Sequence, residues 1–412
     1  MSSSPPNSSD VDSSPPPRGL IEMGVVIAGN IDPIDRRAIN LALQQFREYL
    51  TQQFPEFDFE LIPWRRPELA VGARVEPSLL LQQAAEERAL RRWDFVFVVT
   101  AAELQGSYSP YCFAALSRPL DAAAISLALI DPTAAGEAAD ESRRVERIAF
   151  RLSRLMLHAL GHLTGLARSD DPAAILFHPA DAHELDAMDQ MDSEQLAKQR
   201  HSLAEIADQR LEEGPGRRLS YPAFLIRAAW INRREILEAI RAARPWEFPQ
   251  RLSRLTIAAV STISLLFMTA EAWDLALSQA GWQIGLLITG TLLLTTGYVI
   301  VRQQLLMRRG RIRSEQTVVT TASAFGIVFT GMFVTWLALC LIGLGISGLL
   351  FPAELIASWA ASSGLAADQL GLLHTLQMSL FCASLGLLIG ALGASFESQT
   401  YFRHVIFVDE EI

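Results

Sequence analysis

From residue 255 onward the sequence is dominated by four apolar runs, at 255–277, 282–301, 318–351 and 369–396. Each reaches the roughly 20 residues that an α-helix needs to cross a hydrocarbon core about 30 Å thick. Lipid offers backbone polar groups no water to bond, so runs of this length must be helical. Residues 251–412 therefore read as a membrane domain, a four-helix transmembrane bundle. Glu271 and Asp274 weaken the first run but fall near its outer end. The third run is longer than a perpendicular crossing requires, so it must tilt or end in an interfacial segment. Gly386 and Gly390, like Gly343, Gly345 and Gly348, suit close helix packing. His374 lies near the start of the last run and suits an interface, and no charged lining suggests a conduction path.

Arginine sets the expected orientation. The linker between the second and third runs carries Arg302, Arg308, Arg309, Arg311 and Arg313. The stretch before the first run carries Arg233, Arg234, Arg241, Arg244, Arg251 and Arg254, while residues 278–281 and 352–368 carry no Lys or Arg. Basic loops stay on the cytoplasmic side. Both termini are thus expected in the cytoplasm of a bacterial inner or plasma membrane, with the segment at 245–249 (PWEFP) at the interface.

The net charge is −10, which excludes the basic surface that binding nucleic acid requires. Cys112, Cys340 and Cys382 are too scattered for a disulfide framework or a cysteine metal site. Residues 1–19 are rich in Ser and Pro and read as a disordered tail, neither signal peptide nor anchor.

Between tail and membrane runs, strand and helix patterns alternate. Residues 21–30 (IEMGVVIAGN), 57–63 (FDFELIP), 94–100 (DFVFVVT) and 123–131 read as strands. Residues 35–54, 78–92 and 145–166 read as helices, the first with Ile39, Leu41, Leu43, Phe46 and Leu50 as its apolar positions. Such alternation implies an α/β domain over residues 20–195. A charged, helical linker follows at 196–250.

The helix at 145–166 carries the chemistry. His158 and His162 stand four residues apart, so both imidazoles project from one face and can grip one metal ion. In zinc hydrolases the residue after the first histidine is a glutamate that accepts a proton from metal-bound water. Here it is Ala159, which accepts none. Gly165 follows where a helix commonly closes on a left-handed residue.

The stretch from His158 to Leu176 resembles the archaemetzincin-like (metzincin) zinc peptidases, whose motif runs HExxHxxGxxHCx4CxM. His158 and His162 match two zinc ligands and Gly165 the glycine. Ala159 stands at the general base, Arg168 at the third ligand, Ser169 and Ala174 at the two cysteines, and Leu176 at the Met-turn methionine. The resemblance implies a metzincin-like cytosolic α/β domain, a mixed sheet with helices, with 94–100 as a core strand and 123–131 as the edge strand beside a substrate cleft. It extends over residues 20–195 and leaves the membrane half untouched.

The substitutions keep packing and lose chemistry. The guanidinium of Arg168 never deprotonates and would repel a dication. Asp170, Asp171 and His178 are the candidate substitute ligands, and Glu184 the candidate alternative base. No cofactor is expected, zinc being the one metal that the histidine pair could hold. The chain thus reads as an integral membrane protein whose peptidase-like domain is inactive and binds a protein or peptide. Its rivals are an active zinc metallopeptidase with a rearranged site and a transporter or channel subunit.

Overall fold

The computed structural model describes residues 19–109, 112–134, 136–137, 140–207, 221–305, 315–359, 371–393 and 399–412. The expected tail before residue 19, the arginines at 308–313, the loop beyond residue 359 and both ends of the last apolar run lie outside these described residues.

Strand β1 (Gly19–Ala28) leads into helix α1 (Pro33–Gln53), which Asp32 caps by accepting from the Asp35 amide at 2.6 Å, with Pro33 in the first turn. Strand β2 (Phe57–Arg66) and the short β3 (Arg74–Val75) precede helix α2 (Pro77–Arg91). Then come β4 (Phe95–Thr100), β5 (Glu103–Leu104), β6 (Ala114–Ser117) and β7 (Ala122–Ser126). Asp140 caps helix α3 (Glu141–Leu163). Helices α4 (Ser193–Ala207), α5 (Tyr221–Ile231), α6 (Arg233–Ala242) and α7 (Phe248–Arg251) lead to the apolar half.

The main sheet runs β2-β1-β4-β7-β6, parallel except for β6, so it is mixed as expected. Strand β4 (FVFVVT) is buried on both faces, as a central parallel strand must be. Its odd positions Phe95, Phe97 and Val99 pack under α1 and α3, and its even positions Val96 and Val98 under α2. The expected edge strand is corrected here. Strand β7 is internal, and the strand beyond it is β6, whose small residues (AALS) carry little strand signal.

The first apolar run is not one straight helix. Helix α8 (Ser253–Phe267) and helix α9 (Ala270–Ser278) meet at 89° across Met268–Thr269. The Trp273 indole donates to the Phe267 carbonyl at 3.0 Å, satisfying a backbone acceptor that the bend releases. Helices α10 (Gly281–Arg302), α11 (Glu315–Leu350) and, after the short α12 (Ala353–Trp359), α13 (Leu372–Gly393) follow. Among the described residues three helices are long and apolar enough to cross a membrane, or up to four if the bent pair is one span. Gly386 and Gly390 do serve close packing. A Cβ on Gly390 would lie 2.9 Å from the Leu255 carbonyl oxygen of α8.

The final residues leave the bundle and return to the sheet. Helix α14 (Gln399–Phe407) lays Phe402, Val405 and Ile406 into the core that α2 shares, and strand β8 (Glu410–Glu411) pairs antiparallel with β6 as the sixth strand. The reading of 251–412 as one membrane unit grouped these residues with the bundle. Their apolar face is spent instead on the α/β domain.

Candidate functional site

Helix α3 delivers both histidines to the end of the sheet where β6 and β8 run. It closes at Gly165, whose φ of +87° is the left-handed conformation that ends a helix, while the Leu166 amide returns to the Gly161 carbonyl at 2.9 Å. Leu176 is buried beneath this turn; a Cβ on Gly161 would meet its Cδ2 at 2.8 Å. The packing role read for Gly165 and Leu176 is thus visible in the geometry.

His158 is buried, and its Nδ1 lies 2.9 Å from the Ile175 carbonyl oxygen. A carbonyl only accepts, so Nδ1 carries the proton and Nε2 faces the cleft. There it meets Oε1 of Glu410 at 3.6 Å. His162 turns Nδ1 to Oε2 of Glu410 at 2.5 Å and Nε2 to Oδ1 of Asp409 at 3.2 Å. Arg168 Nε forms an ion pair with Oε1 of Glu410 at 2.5 Å, and His178 Nδ1 stands 3.9 Å from the same oxygen. One carboxylate from β8 therefore sits among three histidines and an arginine.

Charge follows from that geometry. Burial opposes a charged His162, but the carboxylates of Asp409 and Glu410 overcome it and raise its pKa to about 9. Burial likewise opposes ionised Glu410, and the imidazoles of His158, His162 and His178 around it hold its carboxyl far below the usual range. Glu410 is 2% exposed, so these are desolvated ion pairs.

A second carboxylate is held on the opposite face of β8. Glu411 Oε1 accepts from the Ser107 amide at 2.8 Å, and Oε2 accepts from the amides of Tyr108 and Ser109 at 2.8 and 2.9 Å. His404 Nε2 lies 2.6 Å from Oε1. Burial works against the charge, yet His404 and these amides keep the Glu411 carboxyl below its ordinary value. Gly106 permits the loop, since a Cβ there would strike the Ser109 carbonyl oxygen at 2.3 Å.

The remaining sequence candidates are not drawn in. Asp170 and Asp171 are exposed, and Asp171 Oδ1 accepts from the Ala173 amide as a turn residue. Glu184 Oε2 accepts from the Ala180 amide. Ala159 is fully buried in the apolar core between α3 and the sheet. Sequence reasoning missed Asp409, Glu410 and Glu411. The one signal available was the acidic run closing an apolar segment (YFRHVIFV), opposite an Arg168 that had no assigned partner.

Zinc needs imidazole nitrogens converging about 2.0–2.1 Å from one point, with further ligands completing a tetrahedron. His162 instead turns Nδ1 to the Glu410 carboxylate at 2.5 Å, and the Arg168 guanidinium pairs with the same carboxylate. Among the described residues no group of three or more His, Cys, Asp or Glu is arranged to hold a metal ion. The residues as arranged do not fit zinc.

Comparison with solved structures returns archaemetzincin from Methanopyrus kandleri, 17% identical with a TM-score of 0.37, covering 46% of this chain and 99% of that one. It also returns a zinc-dependent peptidase from Methanocorpusculum labreanum, 15% identical with a TM-score of 0.34, covering 43% and 99%. A third is archaemetzincin from Archaeoglobus fulgidus complexed with malonate, 12% identical with a TM-score of 0.32, covering 43% and 99%. No protein-family model and no curated protein matches the chain. The chain shows a partial archaemetzincin-like resemblance, and the assignments above rest on its own residues.

Proposed function

We propose that this is a multi-pass membrane protein whose metzincin-like domain, on the cytoplasmic side, binds peptide without cutting it. The observation that carries this reading is Arg168 at the third-ligand position, paired with the Glu410 carboxylate that lies among the histidines. Ala159 offers no proton acceptor, and general-base catalysis typically contributes about 10²–10⁴-fold. Leu286, Leu294 and Val301 on α10 are well exposed, which supports a lipid-facing surface. The arginine-rich segments before α8 and after α10 support cytoplasmic placement of the domain.

The test is hydrolysis by the full-length protein in detergent, using unfolded protein and short fluorogenic peptides. No chelator-sensitive turnover is expected. Turnover abolished both by chelator and by His158→Ala would establish a rearranged-site peptidase instead.

A further inference from the structure

A site that would hold a cation in a metallopeptidase here surrounds an anion, and that anion arrives on a strand. We propose that the cleft along β6 recognises extended peptides with consecutive acidic residues followed by an aliphatic one, and that residues 409–412 are its resident, exchangeable occupant. The proposal rests on the noncatalytic reading above and names the class of ligand.

Main-chain pairing supplies the part of recognition that any sequence could use. The Asp409 amide donates to the Leu116 carbonyl at 3.1 Å, and the Ile412 amide to the Ala114 carbonyl at 2.8 Å. This is strand addition to a sheet edge, in which alternate side chains provide specificity. Glu410 points into the cationic pocket formed by His158, His162 and Arg168. Glu411, on the opposite face, enters the Ser107–Ser109 amides and His404. Ile412, two residues beyond Glu410 and on its face, is 2% exposed in the core beside Phe113.

The chemistry exceeds what a structural strand requires. Buried ion pairs recover their desolvation cost poorly, and apolar residues of similar volume often hold as well or better. Two carboxylates on opposite faces of one strand, each with its own built pocket, instead discriminate between ligands. The occupant is also tethered. It follows α14 directly and joins α13 through residues 394–398, so a peptide that displaces it acts on a segment continuous with the last apolar helix.

The experiment uses full-length protein in detergent and a fluorescein-labelled peptide of sequence Val-Asp-Glu-Glu-Ile. A control peptide carries Gln in place of both Glu. Glu410→Gln with Glu411→Gln in the protein weakens the resident strand and should raise affinity for the acidic peptide by about tenfold or more over native protein. The acidic peptide should also bind this variant about tenfold more tightly than the control does. Arg168→Ala added to the variant should shrink that preference. Equal binding of both peptides by the folded variant, or no binding, overturns the proposal.

If the variant fails to fold, hydrogen exchange on native protein decides. Excess acidic peptide should speed exchange at residues 409–412 while 114–117 stay protected, and unchanged exchange at 409–412 overturns the proposal. Hydrolysis of the peptide would sink the noncatalytic reading. Silence in hydrolysis together with no acid preference would sink only this inference.

Discussion

Arg168 Nε and Glu410 Oε1 lie 2.5 Å apart, joining the loop after α3 to the strand that closes the sheet. Each residue is out of place alone. An arginine beside two histidines repels a metal, and a buried glutamate pays desolvation. Together they are complementary, because the arginine supplies the charge that a dication would have supplied.

Their environments differ, and so should the effects of removing them. The Arg168 side chain is 45% exposed and that of Glu410 only 2%. Arg168→Ala should cost about 1 kcal/mol, the scale of a screened pair. Glu410→Ala should cost about 3–5 kcal/mol, since it takes the nearer of two carboxylates from the His162 imidazolium. Thermal unfolding of the two single variants and the double variant checks this. Strict additivity in the double variant would show that the pair is not coupled.

The same site sets a pH window for strand docking. His162 has a folded pKa of about 9 against an ordinary 6.5, so its contribution is fully present below about pH 6.5 and is lost as pH rises through about 9. Glu410 is held below its ordinary 4.5, so its contribution is present above about pH 4.5 and is lost as pH falls below that. Protection of the 409–412 amides, corrected for intrinsic exchange, should be greatest between about pH 4.5 and 6.5 and fade toward pH 9. Flat protection from about pH 6 to 10 would rule this out.

Much of the α/β layer was legible because its elements announce themselves locally. The run FVFVVT, the proline-started helices and the glycine closing α3 each carry their own signal. Strands β6 and β8 do not. AALS has weak strand propensity, and the two residues of β8 are a strand only because β6 pairs with them. The alanine at 159 and the arginine at 168 were equally plain in the sequence. Their counterpart was not, since an Asp-Glu-Glu run ordinarily marks a solvated end, and only the return of α14 to the sheet buries it. The bend at Met268–Thr269 was hidden because both sides of it are apolar.

The junction between the two halves should be intolerant of one methyl group. A Cβ on Gly331 of α11 would lie 2.0 Å from the Phe248 ring, which is fully buried at α7. Aromatic rings this enclosed cannot turn aside, and overpacking typically costs about 1–3 kcal/mol. Gly331→Ala should lower the midpoint of thermal unfolding, and adding Phe248→Leu should restore part of the loss. If the double variant is less stable than the two losses summed, the contact is misassigned.

On the proposed membrane reading, the pairing of β8 with β6 fixes the parity of the crossings. Both strands belong to one sheet, so the chain must cross an even number of times between residues 252 and 399. If α10, α11 and α13 each cross, three crossings would strand β8 on the far side. The bent pair α8–α9 must therefore act as a fourth, broken span rather than a re-entrant loop. Helix α8 alone, at 15 residues, reaches about 22 Å, short of a hydrocarbon core of about 30 Å. The remainder falls to α9, despite the 89° bend. Reporters near Ala280 and Ser362 should then read as external, and those near Arg309 and after Ile412 as cytoplasmic. A cytoplasmic reading at Ala280 would leave an odd count, and either the crossings of the three long helices or the β6–β8 pairing would have to be abandoned.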